Sequence, residues 1–125
     1  MVRKLFLIAL GVVILDHITK ALARRFLDIT KNYGAAFGLF QGGRIFFILA
    51  AVVVMLLVWH YRKEMNWLGA GLLLGGTIGN LIDRVIRGYV IDFINLGWWP
   101  SFNIADSANV IGVAIILITE FRKKK

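Results

Sequence analysis

The sequence predicts an all-α polytopic membrane protein of four transmembrane helices. Three observations carry this. Of 125 residues, 59% are hydrophobic, and the mean hydropathy is +0.77, too apolar for a water-soluble domain. A spanning helix needs about 20 mostly apolar residues, so the length leaves room for about four and no separate soluble domain. Basic residues flank the apolar segments: Arg3, Lys4, Arg62, Lys63 and Arg122 to Lys125. The formal net charge of +8 is therefore read as interfacial anchoring to anionic lipid rather than nucleic-acid binding. The chain has no cysteine, which excludes disulfides, thiol nucleophiles and Cys-type metal sites.

The expected organisation is one membrane domain over residues 1–125, with spans at about 4–25, 44–61, 67–86 and 103–121. The first span opens like a signal peptide, with Leu5–Leu15 behind Arg3 and Lys4. Asp16, His17 and Lys20 follow where a signal peptide stays neutral, so it is read as a permanent span. Asp16 and Lys20 are i, i+4 neighbours, the spacing of an intrahelical ion pair. Residues 28–43 break the apolar pattern. Ile29–Tyr33 suits a short strand, and Asn32 offers both a donor and an acceptor, for a substrate backbone or simply for a turn. In the second span Trp59, His60 and Tyr61 suit an interfacial belt.

In the third span Gly71, Gly75 and Gly79 recur every four residues, a stripe that lets another helix approach closely. Asn80, Asp83 and Arg84 share a helix face one step further on. Asp83 and Arg84 are adjacent and cannot pair face to face. Each needs partners elsewhere, with Asp16 and Lys20 the candidates for a network locking spans one and three. Tyr89–Ile94 alternates like a strand, and Trp98 and Trp99 mark the interface. Alternating spans place the N-terminus, the 62–66 turn and the C-terminus on one side and residues 26–43 and 87–102 on the other. The tight basic clusters at the ends put both termini in the cytoplasm.

Asp92 follows the outer end of the third span and Asp106 lies about one turn into the fourth. Consecutive spans are antiparallel, so both stand near the same membrane face. Two carboxylates close together in a low-dielectric site cannot both ionise easily, so one keeps a proton while the other stays a base. Such a pair can activate water and protonate a leaving amine. The alternative reading of Asn103-x-x-Asp106 is a helix N-cap with an acid in the first turn, and Asp92 could serve only to solvate a loop. The only serines are Ser101 and Ser107, with His17 and His60 in other segments, so a Ser/His protease is poorly supported. There is no HExxH and no GxxxxGK[ST] phosphate loop. A competing class is a small proton- or cation-coupled transporter using intramembrane Asp16, Asp83 and Asp106 as a relay. A relay predicts staggered depths, whereas these acids gather towards one end.

The stretches DHITK at Asp16–Lys20, KNYGAAFG at Lys31–Gly38, GGTIGNLIDRVIRGYVIDF at Gly75–Phe93 and FNIADSA at Phe102–Ala108 resemble, in order, the lipoprotein signal peptidases (signal peptidase II), bacterial membrane aspartyl proteases. The resemblance implies a small extracytoplasmic β-cradle on the four-helix fold. It implies cleavage of signal peptides from prolipoproteins before a diacylglyceryl-modified cysteine, in the bacterial inner membrane. By motif match the catalytic dyad is Asp92 and Asp106. Asn32, Asn80, Asp83, Arg84 and Asn103 match supporting polar residues, and Asp16 and Lys20 match a first-helix pair. No cofactor or metal is expected. Expected partners are the lipid-modified signal peptides, membrane lipids and the peptide antibiotic globomycin, with no nucleic acid, and the chain is expected to be a monomer. One departure stands out: only ALARRFLDITK separates Lys20 from Asn32, where family members carry a longer stretch, which implies a minimal cradle.

Overall fold

The computed structural model describes residues 1–34 and 42–125. Four helices run in chain order: α1 (Val2–Phe26), α2 (Arg44–Tyr61), α3 (Trp67–Ile86) and α4 (Ile104–Lys123). Strand β1 (Thr30–Asn32) follows α1, and β2 (Val90–Asp92) follows α3. The Lys31–Gly38 motif extends beyond the described residues.

Helix α3 is the centre of the bundle, with α1, α2 and α4 all packed against it. Its glycines explain how. A Cβ at Gly71 would stand 2.7 Å from the Leu5 carbonyl, and one at Gly75 would stand 2.6 Å from Val12 Cβ. The stripe read from the sequence is thus the contact with α1. A second stripe, Gly69 and Gly76, faces α4, where a Cβ on Gly69 would stand 2.9 Å from the Gly112 carbonyl. With a stripe on each side, α3 is clasped from two directions at backbone distance. Around it, Leu5, Ala9, Val58, Ala70 and Leu74 form the apolar core.

Three helices, α1, α2 and α4, are long and apolar enough to cross a membrane. Helix α3 also has 20 residues, but its glycines and the trio Asn80, Asp83 and Arg84 lower its hydropathy. Its polar face points into the protein: Asn80 and Asp83 are buried.

The N-terminal ends of α3 and α4 are closed by side chains. Asn66 caps α3, its amide oxygen accepting from the backbone N–H groups of Leu68 and Gly69 at 3.0 Å each. Beyond α3, Gly88 takes φ +83°, a left-handed turn open to glycine at little cost, and directs the chain into β2. Strands β1 and β2 pair antiparallel, Thr30 opposite Asp92 and Asn32 opposite Val90. An isolated bridge between Ile94 and Phe102 folds the chain back towards α4. The alternation expected over Tyr89–Ile94 does not produce alternating burial, since Val90, Ile91 and Asp92 are all buried. The ends of α3 and α4 and strand β1 surround β2 and leave it no solvent face.

Candidate active site

Helix α4 starts with a complete capping box. The Asn103 side chain accepts from the Asp106 N–H at 2.8 Å, and an Asp106 carboxylate oxygen accepts from the Asn103 N–H at 3.2 Å. Asp106 therefore serves the cap anticipated from its spacing. Its other oxygen accepts from the Asn80 amide of α3 at 2.9 Å, which turns the carboxylate towards the bundle.

Asp92, at the end of β2, is held from two sides. Asn103 donates to one carboxylate oxygen at 2.9 Å, and Asn32 of β1 donates to the other at 3.1 Å. The strand pairing brings Asn32 within reach. The Asn103 amide also donates to the Asn80 carbonyl oxygen at 3.0 Å. Asp106, Asn80, Asn103 and Asp92 thus form one continuous chain of hydrogen bonds, and two amides bridge the two acids. Asp92 does not merely solvate a loop: it is 2% exposed.

Burial pushes the Asp92 carboxyl up, and the negative charge of Asp106 pushes it further, to about 7. The amides of Asn32 and Asn103 and the positive charge of Lys20 offset part of that rise.

A second network lies beneath the first. The Lys20 ammonium has three acceptors for its three N–H groups: Asp16 at 2.6 Å, Asp83 at 3.0 Å and the Asn80 carbonyl oxygen at 3.2 Å. Asp16 also accepts from the Ala105 backbone N–H in the first turn of α4 at 2.9 Å, and Asp83 accepts from the Ile91 N–H of β2 at 3.1 Å. Asp16, Lys20 and Asp83 tie α1, α3, α4 and β2 together at one end of the bundle. With its oxygen held by Lys20 and Asn103, Asn80 must present its N–H group to Asp106.

Arg84 departs from the expected network. Asp83 meets Lys20, but Arg84 turns away and donates to the Gly34 carbonyl at 2.8 Å, with its guanidinium 5.2 Å from the Phe47 ring centroid. The reason is angular: adjacent helix residues point about 100° apart, so Arg84 faces the segment after β1 and the start of α2.

Asp106 borders two cavities. One of about 190 Å³ lies between α2, α3 and α4, with Thr77, Asn80, Arg84 and Asn109 among its lining and Phe47, Ala50 and Ala51 opposite. The other, about 270 Å³, is lined by Trp99, Phe102, Ser107, Val110 and Ile111. A carboxylate there can reach a chain lying on either side of α4. Asn109 is not among the residues singled out in the sequence, although it stands at i+3 from Asp106 and so on the same face. Its carbonyl oxygen is buried without a hydrogen-bond partner among the described residues and lies against Gly76.

Comparison with known proteins agrees with these motifs. A family model described as Signal peptidase (SPase) II matches residues 8–122. A lipoprotein signal peptidase of Syntrophomonas wolfei is 46% identical over 127 residues, covering 86% of this chain and 85% of that protein. One of Halothermothrix orenii is 36% identical, covering 96% and 97% respectively. A solved bacterial membrane enzyme superposes with a TM-score of 0.87 at 30% identity, covering 97% of this chain and 89% of that one.

Proposed function

Since the chain belongs to the signal peptidase II family, we propose that it is an intramembrane aspartyl endopeptidase that removes signal peptides from diacylglyceryl-modified prolipoproteins. The observation that carries this reading is the amide bridge: two buried acids from different elements, one with its carboxyl raised to about 7, share a pair of oriented asparagines.

Asp92 keeps a proton and Asp106 acts as the base. The positive end of α4 and the Asn80 amide favour a charge at Asp106, and that charge opposes ionisation of Asp92. Asp106 takes a proton from a water molecule as the water oxygen bonds to the scissile carbonyl carbon. Asp92 gives its proton to the carbonyl oxygen, forming a neutral tetrahedral diol. The C–N bond then breaks. The nitrogen leaves with the proton held by Asp106, and a diol proton returns to Asp92, so both acids end as they began. Asn32 and Asn103 position Asp92, and Asn80 positions Asp106. Arg84 holds the Gly34 carbonyl, while Asp16, Lys20 and Asp83 keep Asn80 in one orientation.

In this reading α3 is the fourth span. Its 20 residues cover about 30 Å, the thickness of the hydrocarbon core, and its polar residues face inward, as intramembrane charges do. Residues 1–125 form one membrane domain in the bacterial inner membrane, monomeric, with both termini cytoplasmic. Segments 26–43 and 87–102 are extracytoplasmic, with Asp92 in the second and Asp106 in the adjoining first turn of α4. A globomycin-type peptide would compete at the dyad. The gathering of the acids at one end argues against the transporter alternative.

The test is to make Asp92→Asn and Asp106→Asn separately and assay cleavage of a diacylglyceryl-modified prolipoprotein in detergent. Loss of a general acid or base costs roughly 10²–10⁴ in rate. Full activity in either folded variant would refute the role given to that residue.

A further inference from the structure

Helices α1 and α2 both pack on α3 but hardly touch each other. The glycine stripe draws α1 onto α3 and leaves a groove on the side of α2, away from the dyad. This groove has a volume of about 520 Å³. Leu10 and Val13 of α1 form one wall, Met55 of α2 the other, and Ile78 of α3 the floor. Arg62 is the one charged residue among those that line it. From Leu5 to Val13 the groove runs about 12 Å along α1.

Three features identify what fills it. The lining offers water almost nothing to bond, so what occupies the groove in a bilayer is apolar. The groove is half-open between α1 and α2, so a lipid chain reaches it from the bilayer without entering the bundle. The mouth is basic. Arg3 and Lys4 open α1, and the Lys4 ammonium is 5.3 Å from the Trp67 ring centroid, with Trp67 packed on the same core cluster as Leu5. Arg62 lies with its guanidinium 3.9 Å from the Trp59 ring centroid and donates to the Trp59 carbonyl. The rest of its fork of donors is available for phosphate oxygens.

We propose that the groove between α1 and α2 holds one acyl chain of an anionic phospholipid, with its phosphate on Arg62 and its net charge matched by Arg3, Lys4 and Lys63. The site is independent of the peptidase reading. It seats a lipid at the bundle end opposite the two-stranded sheet and fills the gap that α3 leaves between its neighbours.

Native mass spectrometry of the full chain, released from micelles containing equal phosphatidylglycerol and phosphatidylethanolamine of matched chains, tests it. One phospholipid should be retained, with phosphatidylglycerol favoured about fivefold, the worth of one basic residue at an anionic surface. Leu10→Trp fills the groove and leaves every charge in place, so it should abolish retention. Leu10 is 56% exposed, and its replacement leaves the packing on α3 intact. Val13→Trp is the second filler should the first fail to fold, as judged by helix content. Arg62→Gln should weaken retention of both phospholipids, whose shared phosphate it holds, whereas Lys63→Gln should lower the preference for phosphatidylglycerol and leave phosphatidylethanolamine retained as before. Retention undiminished in both folded fillers, equal binding of the two headgroups by the unsubstituted chain, or a dimer in place of the lipid adduct would each overturn the proposal.

Discussion

Replacing Asp92 by asparagine should cut the cleavage rate by roughly 10²–10⁴ and, above neutral pH, make the protein more stable. The ordinary carboxyl value is 3.8 and the folded value about 7. A folded value above the unfolded one means that the protonated form favours folding. That stability is present in full below about pH 4 and is lost as pH rises through about 7. A tenfold change in proton affinity is worth about 1.4 kcal/mol, so ionised Asp92 carries at most about 4 kcal/mol of cost. The Asp92→Asn substitution removes that cost but brings its own, because an amide group can accept at only one of the two positions where Asn32 and Asn103 donate. An unmet buried donor costs about 1–3 kcal/mol. The variant should therefore be less stable than the parent by about 1–3 kcal/mol at pH 4 and more stable by a similar amount above pH 8. Unfolding in mixed micelles across pH 4–9 reads both arms, and a single-turnover cleavage assay reads the activity. A variant equally destabilised at every pH would refute the reasoning, since it would mean that Asp92 ionises without penalty in the fold.

Three further outcomes follow. Lys20→Met leaves Asp16 and Asp83 buried without their cation and should cost about 3–5 kcal/mol in micelle unfolding. Gly79→Ala places a methyl group 2.7 Å from an Asp16 carboxylate oxygen and should lose about 1–3 kcal/mol together with most of the cleavage rate, whereas Gly11→Ala, with nothing within 4 Å, should match the parent in both measurements. Asn109→Leu removes a polar group from the wall of the cavity beside Asp106 and should raise KM severalfold with kcat within about twofold; an unchanged KM would show that the peptide does not lie against that wall.

The glycine stripe on α3 was legible because helix spacing alone sets which residues share a face, and the same rule could have revealed Gly69 and Gly76 on the other side. The need of Asp83 for Lys20 was legible because an intramembrane charge demands a partner. The partner of Arg84 was not, because it is a backbone carbonyl, Gly34, which no side-chain pattern announces. Spacing predicted the Asn103–Asp106 cap but not the approach of Asp92 to it. That approach depends on the pairing of β1 with β2 and the bridge from Ile94 to Phe102, both long-range events. The strand at Thr30–Asn32 was anticipated within a residue at each end, yet only the register puts Asn32 beside Asp92.

The Lys20 junction has a bearing on how the chain assembles. When α1 leaves the insertion machinery it already carries its own counter-ion, because Asp16 and Lys20 sit one turn apart and travel as a neutral couple. Asp83 arrives later with Arg87 one turn away, 3.6 Å between their charged atoms, as a second neutral couple. These two acids can thus enter the bilayer with a cation already beside each, and docking of the two couples keeps both pairs and adds the contact of Lys20 with Asp83. The site is finished only when the late-made α4 delivers the Ala105 N–H to Asp16, so an incomplete chain is held together at this junction before it can cut anything.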